Sequence, residues 1–211
     1  MTVIVTISVY SYFNIVSQRE ALLAEVERHA IQQSEMVKNS TRYDMLLNQR
    51  DHVLGIINTI GSQPSILGVR ILNKEGEIIY SSNAEDIGKM VDKSTESCYV
   101  CHAKDKPLQK LPSEDHTRIF RTHPDSSRIL GVINPIYTEK NCWNSKCHAH
   151  SQEQTVLGVL DITISLKEVD EQIRNSGDKV ASLAFATMIA ISLIIGFFVK
   201  KWIRERNPLG L

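Results

Sequence analysis

Hydrophobic and polar positions change period several times along the chain, and each change marks an element. Met1–Val16 carries no charge, but Asn14 and several hydroxyls dilute it. It falls short of a comfortable crossing of a ~30 Å hydrocarbon core, which takes about 20 apolar residues. From Arg19 to about Ile60 helix formers dominate, and Leu22, Val26, Met36, Val37, Leu47, Leu54 and Ile57 recur at roughly helical spacing among charged neighbours. This predicts a helical stalk, either one helix of ~40 residues reaching ~60 Å or two shorter helices broken near Asn39–Thr41. Its apolar stripe suits pairing with a second copy. Gly61-Ser62-Gln63-Pro64 ends the stalk, because glycine and proline both disfavour continuation.

The pattern then turns β-like. Gly68–Asn73 and Glu77–Ser82 flank Lys74-Glu75-Gly76, a hairpin signal with glycine in the turn. His116–Arg121, Arg128–Ile136 and Thr155–Ser165 are again rich in β-branched residues, so five strands in one antiparallel sheet packed on the stalk are expected. The fold class predicted is α+β. Leu-Gly-Val occurs at Leu67–Val69, Leu130–Val132 and Leu157–Val159. These read as strand positions where backbone or a flat ligand approaches closely. Leu166–Arg174 reads as a short helix, and Asn175-Ser176-Gly177 as a joint after it.

Val180–Val199 is free of charge, apolar on every face, and followed at once by Lys200, Lys201, Arg204 and Arg206. It predicts a transmembrane helix with its basic end in the cytoplasm. Met1–Val16 has neither a basic start nor a small-x-small cleavage site, so it reads as a first span rather than a removable signal. The expected segments are residues 1–17, first span; 18–62, stalk; 63–174, sensor domain; 180–199, second span; and 200–211, the start of a cytoplasmic linker. Formal net charge is zero, which gives no support to nucleic-acid binding. No G-x-S-x-G, phosphate loop or H-E-x-x-H is present, and no catalytic role is expected of these residues.

All four cysteines fall in the polar middle section, in two clusters. Cys98-Tyr99-Val100-Cys101-His102 is a C-x-x-C-H motif; Cys142 and Cys147, followed by His148, repeat the idea with four intervening residues. In c-type attachment two thiols bond the edge of a haem, and the next histidine lies under the ring to bind iron. Structural disulfides are an alternative, but they leave the histidine after each second cysteine unexplained. A zinc site tolerates the spacing, whereas a thioredoxin-like redox pair lacks its βαβ context. Two covalent c-type haems are therefore expected, on Cys98, Cys101 and His102 and on Cys142, Cys147 and His148. Candidate distal ligands are His150, His52 and Met45, with Met90 a further option. Arg118, Arg121 and Arg128 are candidate partners of haem propionates, since guanidinium binds carboxylate bidentately.

Arg42–Ser82, SCYVCH at Ser97–His102 and NCWNSKCHAH at Asn141–His150 together resemble the sensor regions of membrane-bound multihaem histidine kinases of metal-reducing and related anaerobic bacteria. They are also similar to the periplasmic c-type haem sensors of certain chemotaxis receptors. The resemblance covers about Arg19 to Leu211; the four-residue spacing at Cys142–Cys147 departs from it. It implies a PAS/Cache-like sensor between two transmembrane helices in the bacterial inner membrane, with most of the chain in the periplasm. Asn207-Pro208-Leu209 resembles the opening of a HAMP linker, which implies a downstream cytoplasmic transmitter, a histidine kinase, with its response regulator; a homodimer is expected because a signalling stalk needs a partner to move against. The signal implied is redox state or a small gas. A membrane-anchored dihaem electron-transfer cytochrome and a zinc-stapled ligand-binding sensor are the rival expectations.

Overall fold

The computed structural model describes residues 2–91, 112, 115–123, 126–143, 151 and 153–206. Helix α1 runs from Thr2 to Leu46 without interruption. There is no break at Asn39–Thr41. Thr41 is buried there, and its hydroxyl donates back to the Val37 carbonyl at 3.0 Å, so the side chain serves its own helix. The stalk is interrupted later, where Asn48 takes φ +54°, a left-handed conformation that asparagine tolerates better than most residues. Helix α2 (Arg50–Gly61) follows and stops at the glycine-proline segment, with the Ser62 N–H donating to the Asn58 carbonyl.

Two compact units result: Glu25–Lys167, and Met1–Ala24 with Glu168–Leu211. The first holds a five-stranded sheet of β1 (Ile66–Asn73), β2 (Ile78–Ser81), β3 (Thr117–Phe120), β4 (Ile129–Tyr137) and β5 (Val156–Ser165). These lie within two residues of the five runs read from sequence. Strand order is β2-β1-β5-β4-β3, and every neighbouring pair is antiparallel. The β1–β2 turn forms where expected. Gly76 takes φ +93°, and the Asn73 carboxamide oxygen accepts the N–H groups of Glu75 and Glu77. Pro135 sits inside β4, but there the strand outruns β3. Among the described residues the Ile133 N–H is the last to reach across, donating to the His116 carbonyl, and Pro135 lies beyond that paired stretch, where a missing donor is tolerated.

Strand alternation divides the sheet cleanly. Val69, Ile71, Leu130, Val132, Leu160 and Ile162 share one face by register and are almost fully buried. Asn134 shares that face and bonds to α1, so α1 covers it with Ala30, Ser34, Val37 and Thr41, all buried. Helix α2 adds Val53 and Ile57 over β1 and β2. A short helix, α3 (Lys140–Trp143), follows β4.

In the second unit, α4 runs from Lys167 to Arg206. It absorbs both the short helix expected at Leu166–Arg174 and the joint expected at Asn175–Gly177. A single glycine costs only ~1 kcal/mol inside a helix, and a Cβ on Gly177 would lie 3.9 Å from Ile15, so the helix continues in close packing with α1. Among the described residues α4 is the one helix long and apolar enough to cross a membrane, with no part of its apolar window buried. The first span expected at residues 1–17 is not shown: among the described residues the start of α1, diluted by Asn14 and several hydroxyls, does not meet that standard.

Candidate functional site

Of the haem-attachment residues, Cys142 is the one the structure describes; Cys98, Cys101, His102, Cys147 and His148 lie outside the described residues, as does His150. Cys142 lies on α3, just past the end of β4, and is a buried free thiol. Its sulfur accepts the Glu139 N–H at 3.4 Å. The short helix forms because Glu139 caps it: its carbonyl receives the Cys142 N–H at 2.8 Å.

This end of β4 is bound to α1 at two levels. Asn134, 1% exposed, donates to the Ser34 hydroxyl (3.0 Å) and the Glu35 carboxylate (2.9 Å), and accepts from Lys38 (2.7 Å). Lys38 also pairs with Glu35 at 2.8 Å. Farther along, the Arg42 guanidinium pairs with the Glu139 carboxylate. Burial pushes the Glu35 carboxyl upward, but hydrogen bonds from Lys38 and Asn134 and the charges of Lys38 and His116 together hold it below its ordinary range. A buried amide is stable in an apolar interface only with its bonds made. The network therefore fixes the register of α1 on the sheet.

The opposite sheet face carries a charged cluster. Asp161, in the middle of the apolar run of β5, is fully buried, and Arg70 Nε on β1 donates to it at 3.0 Å. Arg118 reaches from β3 to within 3.9 Å of the same carboxylate, its guanidinium 5.3 Å from the centre of the Phe120 ring. Gly68, Thr163 and Gly131 form one row across β1, β5 and β4 on this face. A Cβ on Gly131 would lie 3.1 Å from Phe120 and 3.2 Å from Arg118, so that glycine gives Arg118 its path. Gly158 serves the third Leu-Gly-Val differently: a Cβ there would run into the Leu72 carbonyl. Close approach of backbone explains it.

The other candidates are dispersed. Arg121 donates to the Ser126 carbonyl at 2.9 Å, and the Arg128 carbonyl accepts the Leu166 N–H, also at 2.9 Å. Met45 is half-buried on α1, and His52 is exposed on α2, 3.8 Å from the Asp44 carboxylate. His29 is exposed and bonded to Glu25. Among the described residues no group of three His, Cys, Asp or Glu side chains comes together to hold a metal ion. Sequence reading missed Arg70, Asp161, Glu35, Lys38 and Asn134. The signal for two of them was legible: Asp161 and Asn134 interrupt strands that are otherwise apolar.

No family model matches the chain, and no curated protein matches it. Among solved structures it is similar to the sensor domain of the V. cholerae histidine kinase DctB, at 13% identity and a TM-score of 0.49. That alignment covers 76% of this chain, which spans 57% of the length of that one.

Proposed function

We propose that the chain is the membrane-anchored, extracytoplasmic sensor of a bacterial signalling receptor, with one c-type haem on Cys98, Cys101 and His102 and a second on Cys142, Cys147 and His148. The observation that carries this is the pair of cysteine clusters, each with a histidine directly after its second thiol. Two thiols and an imidazole are the donor set such attachment uses, and Cys142, the one of the six that the structure describes, is a free thiol. Bound there, haem would supply an iron whose oxidation state and open coordination site answer to redox poise or a small diatomic gas.

The rest falls to the chain's own residues. Glu139 and Asn134 tie the Cys142 end of β4 to α1, and β4 pairs along its length with β5. Ser165 ends β5 and Lys167 begins α4, with Leu166 fully buried between them. A shift of β4 therefore has two exits, α1 and α4. An effector biases such an element only by its differential affinity for two states. In this reading Val180–Val199 crosses the inner membrane, Met1–Val16 supplies a second and less apolar span, the sheet lies in the periplasm and the output is a cytoplasmic transmitter.

The test is purification after expression with the c-type attachment machinery. Absorption bands of c-type haem in the reduced protein, haem retained through denaturing electrophoresis, and about two haems per chain falling to one in Cys98→Ala/Cys101→Ala are expected. A colourless, iron-free protein refutes the reading. Haem with no response to CO or NO, and no transmitter encoded in frame, favours the electron-transfer cytochrome instead.

A further inference from the structure

At the end of the sheet that leads into α3, two buried side-chain atoms, His116 Nδ1 and Thr138 Oγ1, have no hydrogen-bond partner among the described residues. His116 stands just before β3, and its carbonyl accepts the Ile133 N–H at 2.8 Å. Because β3 runs antiparallel to β4, the residue before β3 lies toward the end of β4 that continues to α3. Thr138 is on that continuation, its N–H bonded to the Thr155 carbonyl at 3.0 Å, and the buried Cys142 thiol follows four residues later. A buried nitrogen taken out of water with nothing in return is a cost that folded chains rarely leave standing. Two such atoms at the end that carries a buried thiol point to a group other than protein.

His116 differs from the other histidines that the structure describes. His29 is bonded to Glu25, His52 lies exposed near Asp44, and His123 is exposed. Of the two methionines with ligand chemistry, Met45 is half-buried and Met90 is 63% exposed. Position favours His116 as well. Its charge bears on the Glu35 carboxyl of α1, while Arg42 of the same helix pairs with Glu139, whose N–H donates to the Cys142 sulfur. Glu35 and Arg42 are separated by ~10 Å of helix rise. Measured along α1, imidazole and thiol stand a porphyrin's breadth apart.

We propose, resting on the haem attachment above, that His116 is the distal iron ligand of the second haem, the one on Cys142, Cys147 and His148. Neutral imidazole binds metals through either ring nitrogen, and the nitrogen buried here has no competing bond to break. The step forms one nitrogen–iron bond, releases the water otherwise held at that position, and transfers neither electron nor proton. His148 and His116 then hold the metal from opposite sides, and a gas enters only when His116 lets go. Letting go acts where it matters for output. His116 is bonded to Ile133, the neighbour in β4 of Asn134, which fastens that strand to α1.

Electron paramagnetic resonance of the ferric full chain, purified after haem attachment, tests it. The second haem should be low-spin, and His116→Ala should turn it high-spin. His116→Gln, which keeps a polar side chain of similar size, should do the same and covers the case in which the alanine variant fails to fold. Added imidazole should restore the low-spin signal in either variant, which a purely structural role for His116 would not allow. In the reduced protein, CO should bind the variants about ten-fold more tightly, as expected once a ligand that fills the position about nine-tenths of the time is gone. His52→Ala should leave both readouts as they are. A spin state unchanged in both His116 variants, or no recovery with imidazole, overturns the proposal. So does a His116-dependent signal that survives Cys142→Ala/Cys147→Ala, which would put the ligand on the first haem. In each of these results haem is present and its attachment stands; a chain without haem overturns both.

Discussion

Replacing Asn134 with alanine removes the amide that joins α1 to β4, and the size of the effect can be worked from its partners. Ser34 keeps a bond to the Ile31 carbonyl at 2.8 Å, so it is not left bare. Lys38 and Glu35 keep each other, and their side chains remain 21% and 42% exposed, so water can satisfy what Asn134 gave up. The full penalty of orphaned buried charges therefore does not apply. Three lost bonds with partly compensated partners, plus a small void, come to about 2 kcal/mol. For a domain of this size that lowers the melting temperature by about 4–8 °C. Calorimetry of the full chain in detergent measures it, with Lys38→Met and the double variant completing a thermodynamic cycle. The coupling between Asn134 and Lys38 should be about 0.5–1.5 kcal/mol. A melting temperature unchanged by Asn134→Ala, or strict additivity in the cycle, refutes the reading of this network as the lock between helix and sheet.

Two further predictions rest on separate features. Three glycines should give a graded series in the same melt. Gly158→Ala forces a Cβ onto the Leu72 carbonyl and should cost about 3 kcal/mol; Gly68→Ala, which meets only the Thr163 hydroxyl at 3.3 Å, should cost under about 1 kcal/mol; Gly55→Ala, with open space around it in α2, should stabilise by about 1 kcal/mol. A different order would show that backbone approach is not what the glycines serve. The Glu35 carboxyl titrates below its ordinary value of 4.5, so its contribution to stability is complete above that value and disappears as pH falls through the lower folded-state value. The stability gap between the wild-type chain and Glu35→Gln should then narrow between about pH 6 and pH 3. A gap that is constant over that range would remove Glu35 from the network.

Much of this architecture is written in local order. β-Branched runs, a glycine turn and the Gly-Ser-Gln-Pro stop place five strands and the end of α2, because turn chemistry and strand propensity act over a few residues. The same holds for the apolar stretch of α4, and for the two cysteine clusters, whose chemistry depends on spacing along the chain. The haem expectation remains one of sequence, since five of its six residues lie outside the described structure. Tertiary structure alone decided the rest. Helix α1 passes Asn39–Thr41 because Thr41 is packed against the sheet, and α4 passes Gly177 because α1 packs beside it; neither contact exists in a local window. Arg70, Asp161 and Arg118 stand far apart in the chain and meet only through the strand order. The register of α1 on β4 likewise depends on Asn134 meeting residues about a hundred positions away. Periodicity reveals that a helix has an apolar stripe, but only the packed fold shows that Val37 belongs to the core while Met36 and Tyr43 remain exposed.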